Sequence, residues 1–233
     1  MKPWQILGKC RTPDGTELTL KRHPSEFVIM ANGRSLMSSR MHGSEEALST
    51  IGCARVRRRR DPRVLVGGLG MGFTLRAALD CLPSQAEVVV SELVDDVVTW
   101  NRGPLADLAG RPLDDPRVRL VVGDVLGLLR QSCGVFDAVL LDVDNGPAAV
   151  TTSTNSRLYG LRGLAAAHRA LKPGGVLAVW SANDDPRFRT RLRDVGFEVR
   201  VERVRGRRDG SSPWHAIVTG HVPRAPVRPT RRP

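Results

Sequence analysis

The residues able to do chemistry fall at the ends of short apolar runs. Val64-Leu-Val-Gly-Gly-Leu-Gly-Met-Gly-Phe73 carries an apolar strand into Gly68, Gly70 and Gly72. Glycine at such a turn lets the chain double back and lets a ligand approach the backbone without meeting a Cβ. Glu92 closes the next apolar run, 22 residues after Gly70. An acid at that distance is placed to accept hydrogen bonds from both ribose hydroxyls of a nucleoside; the alternative is a surface glutamate at a strand end. Asp124, in Val-Val-Gly-Asp-Val, follows a third run. Its carboxylate can accept from an adenine amino group, cap the following helix, or do both. Asp142, Asp144 and Asn145 follow a fourth run, Phe136-Asp-Ala-Val-Leu-Leu. A carboxylate ending so apolar a strand suits a general base or a partner for a cation, and Asp142 is the candidate for that role. Asp144 fits either the same role or loop capping.

Such groups converge only if alternating strands and helices bring them to one edge. From Asp61 onward the chain has that rhythm. Strands are expected at Val64–Gly67, Val88–Glu92, Val118–Val122, Ala138–Asp142, Val176–Trp180, Phe197–Val204 and Trp214–Thr219. Helices are expected at Thr74–Leu82, Leu93–Asn101, Val125–Arg130, Leu158–Leu171 and Arg187–Val195. Short, continuously apolar strands belong to a sheet covered on both faces. Only the polar turn Gly206 to Pro213 separates the last two strands, which leaves no room for a crossover helix, so they pair antiparallel. The expected class is α/β: a Rossmann-like, seven-stranded, mostly parallel sheet with an antiparallel final strand.

A small N-terminal β unit over residues 1–42 precedes it, with alternation around Leu18 and Leu20, an apolar run at Phe27 to Met30, and an Asn32-Gly33 tight turn. A helix starts near Ser44, which can cap it, and Glu45 and Glu46 suit its positive end. Arg57 to Arg60 follow at the helix C-terminus, where the dipole favours cations. The ligand-binding domain is expected over residues 43–222, and a disordered basic Pro/Arg tail over residues 223–233.

At 233 residues and 41% hydrophobic content the chain has enough apolar material for one large core, although aromatics make up only 4%. The net charge of +12 raises nucleic-acid binding. Only four of the 36 basic residues are lysine, and much of the charge is local to one run and the tail, so nucleic acid is not the favoured partner. No apolar run is long enough for a membrane helix and no secretory signal opens the chain, so a cytoplasmic enzyme with no membrane partner is expected. Cys10, Cys53, Cys81 and Cys133 and the five histidines show no metal-ligand spacing, and no metal is expected.

The stretch from about Arg63 to Ser181 resembles the class I S-adenosylmethionine-dependent methyltransferases, and within them the spermidine synthase-like family. The matching pieces are Val64 to Leu75, Glu92, Gly123-Asp124, Phe136 to Asp142, and Leu158-Tyr-Gly-Leu-Arg-Gly-Leu followed by Leu171-Lys-Pro-Gly-Gly. The resemblance implies that Gly68, Gly70 and Gly72 hold the donor's tail, Glu92 its ribose and Asp124 its adenine. It implies that Asp142 prepares an attacking amine, and it puts Tyr159 near the family's aromatic before the last helix. A homodimer is a state it allows. Three departures bear on the reaction. Met71 stands where spermidine synthases carry an acid that meets the amine of decarboxylated S-adenosylmethionine and repels the ordinary donor's carboxylate. Asn145 stands where the family's D-x-x-D loop has its second acid. Ser44 stands at the aromatic of the family's Tyr-His-Glu segment. Loss of the first acid removes a like-charge penalty against S-adenosylmethionine. The expectation is therefore methyl transfer from S-adenosylmethionine to a small-molecule acceptor such as an amine. The alternatives are a polyamine aminopropyltransferase using the decarboxylated donor and a nucleic-acid-binding or RNA-modifying protein.

Overall fold

The computed structural model describes residues 3–24, 26–143, 146–147, 157–207 and 212–224. The chain opens with an antiparallel sheet of β1 (Gln5–Arg11), β2 (Glu17–His23), β3 (Glu26–Ala31) and β4 (Arg34–Ser38), paired in sequence order. Asn32 and Gly33 join β3 to β4 with φ of 47° and 77°, the pair of positive values a two-residue hairpin turn needs. The sequence pattern exposed only the middle of this unit. β1 has mixed burial and two glycine- or lysine-bearing positions on an edge, so it carries no clean alternation.

The larger sheet has seven strands in the order β10-β11-β9-β8-β5-β6-β7. They are β5 (Arg63–Gly67), β6 (Glu87–Glu92), β7 (Val118–Val122), β8 (Phe136–Leu141), β9 (Leu171–Ser181), β10 (Glu198–Arg205) and β11 (Trp214–His221). The five strands from β7 to β9 run parallel; β11 enters antiparallel between β9 and β10. β5 and β8 are buried along almost their whole length, as a central strand covered on both faces must be.

The helices are α1 (Gly43–Cys53), α2 (Phe73–Cys81), α3 (Asp95–Arg102), α4 (Val125–Gln131), α5 (Leu161–Ala170) and α6 (Pro186–Asp194). The α1–α3 face of the sheet shares one core with the N-terminal unit: Leu20, Ile29, Leu48, Val66, Leu75, Val98 and Leu140 are all in it. The opposite core joins Leu65, Leu129, Leu141, Leu164 and Phe188 from β5, α4, β8, α5 and α6. None of the helices described is long and apolar enough to cross a membrane.

Two local expectations are corrected. Ser44 does not cap α1: the helix begins one residue earlier, after His42, and the buried Ser44 hydroxyl donates instead to Glu45 Oε2 at 2.7 Å. The arginine run does not sit in the last turn of α1, which has no basic residue; a 3-10 turn at Val56–Arg58 carries it away. Arg59 reaches the buried Asp137 and the Gly174 carbonyl, and Asp137 also accepts from Lys172 Nζ and the Arg63 N–H, both at 2.7 Å. This tie fastens the amino ends of β5, β8 and β9, so part of the charge is structural. Residues 225–233 of the basic tail expected over 223–233, and Asp144 and Asn145, lie outside the described residues.

Candidate functional site

The parallel register delivers the carboxyl ends of β5, β6 and β8 side by side: Gly67 pairs with both Ser91 and Leu141. The ladder then runs on into the loops. Gly68 N–H donates to Ser91 O at 2.9 Å, Asp142 N–H to Gly67 O at 2.9 Å, and Gly123 N–H to Glu92 O at 2.7 Å. Gly68, Glu92, Gly123 and Asp142 are thus fixed at one sheet edge by backbone bonds alone.

The glycine turn is required at two points. Gly68 has φ of +89°, and a Cβ there would lie 2.5 Å from the Asp142 carbonyl oxygen. Gly72, at φ +87°, is the N-cap of α2. Glu92 is 8% exposed and points at the loop. Its Oε2 accepts from the Leu69 N–H at 2.8 Å and its Oε1 from the Val94 N–H at 2.9 Å. Burial raises its pKa, opposed by these backbone donors. The Gly70 and Leu93 N–H groups also favour its ionised form. Asp124 caps α4 through the Leu126 N–H at 2.9 Å and is exposed at the edge. The capping use predicted for it is real, and one oxygen remains for a ligand.

A small cleft lies on the α1–α2 side, lined by Met37, Ser38, Glu45, Leu69 to Met71, Phe73, Thr74 and Asp142. Asp142 Oδ2 accepts from the Thr74 hydroxyl at 2.5 Å. Burial pushes Asp142 up to about 6, against the pull of that hydroxyl. Glu45 is pushed up to about 8, first by burial and then by the negative charge of Asp142. Two carboxylates therefore share one desolvated cleft with no cationic side chain in its lining. The negative charge of one makes ionisation of the other harder.

Sequence reasoning placed Asp142 here and missed Glu45, Thr74 and Met37. Glu45 read as a helix-dipole acid, because nothing in its spacing says which way the first turn of α1 faces. The structure brings Gly68, Gly70, Glu92, Asp142 and Met71 together. Tyr159 does not line the cleft: it is 3% exposed on the opposite core, edge-on to Phe188, with its hydroxyl donating to Val143 O at 3.4 Å. It supports the residue that follows Asp142.

A likeness to solved structures runs through nearly the whole chain. A spermidine synthase from Thermotoga maritima matches with a TM-score of 0.70 at 17% identity, over 96% of this chain and 74% of that one. A probable spermidine synthase from Corynebacterium glutamicum matches with a TM-score of 0.65 at 18% identity, over 93% and 80%. The polyamine aminopropyltransferase of Mycobacterium tuberculosis is 36% identical over 119 residues, 50% of this chain and 22% of its own length. That of Nitrosomonas europaea is 36% identical over 122 residues, 51% and 35%. The chain thus aligns with about a fifth to a third of these curated relatives. These matches overturn the expectation of a methyltransferase using S-adenosylmethionine, since the relatives and the family model fall with the aminopropyltransferases. The expectation counted the acid absent at Met71 as a carboxylate missing from the site, whereas Glu45 of α1 lines the same cleft. The model of the spermine/spermidine synthase domain matches residues 41–189, more than half of the chain and all of the site, and the protein belongs to that family.

Proposed function

We propose that this protein is a polyamine aminopropyltransferase, taking decarboxylated S-adenosylmethionine as donor and an alkyl amine as acceptor. The observation that carries the reading is the Glu45–Asp142 pair in a cleft that opens beside the glycine loop. Its chemistry fits a ligand bearing an ammonium. It disfavours a donor that brings its own carboxylate, because a further negative group would enter a desolvated site with no cationic side chain in its lining.

In this reading Gly68 and Gly70 admit the donor's tail, Glu92 holds the ribose and the free oxygen of Asp124 meets the adenine amino group. The donor supplies a carbon activated by a sulfonium. The amine nitrogen bonds to that carbon, the carbon–sulfur bond breaks, and methylthioadenosine leaves with the electron pair. Asp142 orients the attacking amine and takes its proton, a task suited to a carboxylate pushed up to about 6. Glu45 holds an ammonium, either the donor's or the far end of a diamine. Thr74 fixes the Asp142 rotamer from α2. Proximity and alignment account for most of the acceleration, because the sulfonium leaving group needs no acid. The cytoplasm, where the four free thiols stay reduced, is the compartment that goes with this role.

The test is product analysis. Purified protein with decarboxylated S-adenosylmethionine and putrescine should release methylthioadenosine and spermidine in equal amounts. Absence of both products at high diamine, with the donor shown to bind, refutes the reading.

A further inference from the structure

Asn101, near the end of α3, is 3% exposed and is not itself one of the cleft's lining residues. Its Nδ2 donates to Gly70 O at 2.8 Å and to Val97 O, one turn back in its own helix, at 2.9 Å. Both partners are carbonyls, so the amide orientation is unambiguous: the NH₂ group faces them. Its Oδ1 has no partner among the described residues and lies 3.1 Å from where a Cβ on Gly72 would sit. One side chain therefore holds the middle of the glycine loop and closes off its last glycine.

The consequence follows from peptide geometry. In a planar trans peptide the C=O and N–H point in opposite directions. Gly70 C=O and Met71 N–H belong to one such unit. With the carbonyl drawn to Asn101, the Met71 N–H points the opposite way, and Leu69, Gly70 and Met71 all line the cleft. Gly70 sits at φ +53°, where no Cβ would stop this peptide from rotating, so a tether from outside the loop is needed to select one orientation.

We infer that Asn101 is a positioning residue for the donor: by anchoring Gly70 O it aims the Met71 N–H at the ligand held by the glycine loop. The inference rests on the donor-binding part of the proposed function. Nothing in the surrounding spacing marks Asn101, and none of the site assignments made above includes it.

The experiment uses the full chain, with methylthioadenosine as the calorimetric probe and initial rates with decarboxylated S-adenosylmethionine and putrescine. Asn101→Ala should weaken methylthioadenosine binding and raise donor KM by about tenfold, the scale of one hydrogen bond. The amine KM should be unchanged, and kcat at saturating donor should stay within about threefold. Val98→Ala, a buried truncation in the same helix (2% exposed), serves as the stability control: its melting temperature should fall with donor KM unchanged. If Asn101→Ala binds the probe as the parent does while melting lower, the residue is merely structural and the inference fails with the functional reading intact. If Val98→Ala loses as much affinity as Asn101→Ala, the loop follows general stability and the inference again fails. Should the parent itself bind no methylthioadenosine, the donor reading and this inference fall together.

Discussion

Replacing Glu45 with glutamine tests whether the carboxylate pair recognises an ammonium, and the size of the effect can be worked out in advance. A charged hydrogen bond from an ammonium to Glu45 contributes about 1.5–3 kcal/mol. At pH 7 the empty cleft holds Asp142 mostly ionised and Glu45 mostly protonated, given values of about 6 and about 8. Binding the cation ionises Glu45, which costs about 1.4 kcal/mol for one pH unit. The net gain at pH 7 is therefore about 1 kcal/mol, roughly a fivefold difference in KM for the amine between the parent and Glu45→Gln. At pH 9 Glu45 is already ionised, the cost is gone, and the ratio should rise to roughly 40-fold. An alkylammonium stays protonated up to about pH 10, so its own titration does not produce this rise. The assay is initial-rate KM for putrescine from pH 6.5 to 9.5 in both proteins, each at saturating donor. A ratio that stays flat across that range, or never exceeds about twofold, refutes the assignment. The neighbouring Glu46 pairs with His42 Nδ1 at 2.9 Å and is the last of the causes that raise Glu45, so Glu46→Gln should show a much smaller pH dependence.

The same pair affects stability. The folded-state pKa of Glu45 lies above its unfolded value, so the fold penalises ionisation; the penalty is absent below about pH 4.5, grows through the interval and is complete above about 8. Glu45→Gln should therefore melt higher than the parent at pH 8.5, with the gap closing toward pH 5. Asp142→Asn should lower kcat with little change in donor binding, and unchanged turnover would remove it from the mechanism. Glu92→Ala strands the Leu69 and Val94 N–H groups and should weaken methylthioadenosine binding by about 1–3 kcal/mol, read by calorimetry. Asp137→Ala leaves Arg59 and Lys172 without their shared buried partner and should cost about 3–5 kcal/mol in denaturant melts, with kcat per folded molecule unchanged.

The sheet was legible because its signals are local and redundant. β5 and β8 are apolar on both faces, each run is bounded by a polar or glycine turn, and the short link before Trp214 forces an antiparallel pair, so strand positions came within a few residues of those observed. The placement of Gly68, Glu92 and Asp142 at one sheet edge was legible for a related reason: each sits at or just past the end of a strand, and parallel strands align their carboxyl ends whatever the side chains do. β1 and β4 were not, since an edge strand under partial cover need not alternate. The start of α1 misled because Ser44 has the chemistry of a cap while its geometry spends the hydroxyl on Glu45.

The reaction was misread where the sequence was compared position by position. An acid absent at Met71 looks like a charge removed from the site, and from one position alone that inference is sound. Electrostatics, however, is set by the distance to the ligand rather than by the element that supplies the group. Helix α1 presents Glu45 to the same cleft that Met71 lines, so a carboxyl group is present there although it comes from the helix and not from the loop. Moving it also changes its character. The Glu45 carboxyl is desolvated and coupled to Asp142, so it is protonated when the cleft is empty and ionises when a cation arrives. Selectivity for an amine then depends on a proton released on binding, and calorimetry in buffers of different ionisation enthalpy should find close to one proton released per amine bound at pH 7 in the parent and none in Glu45→Gln.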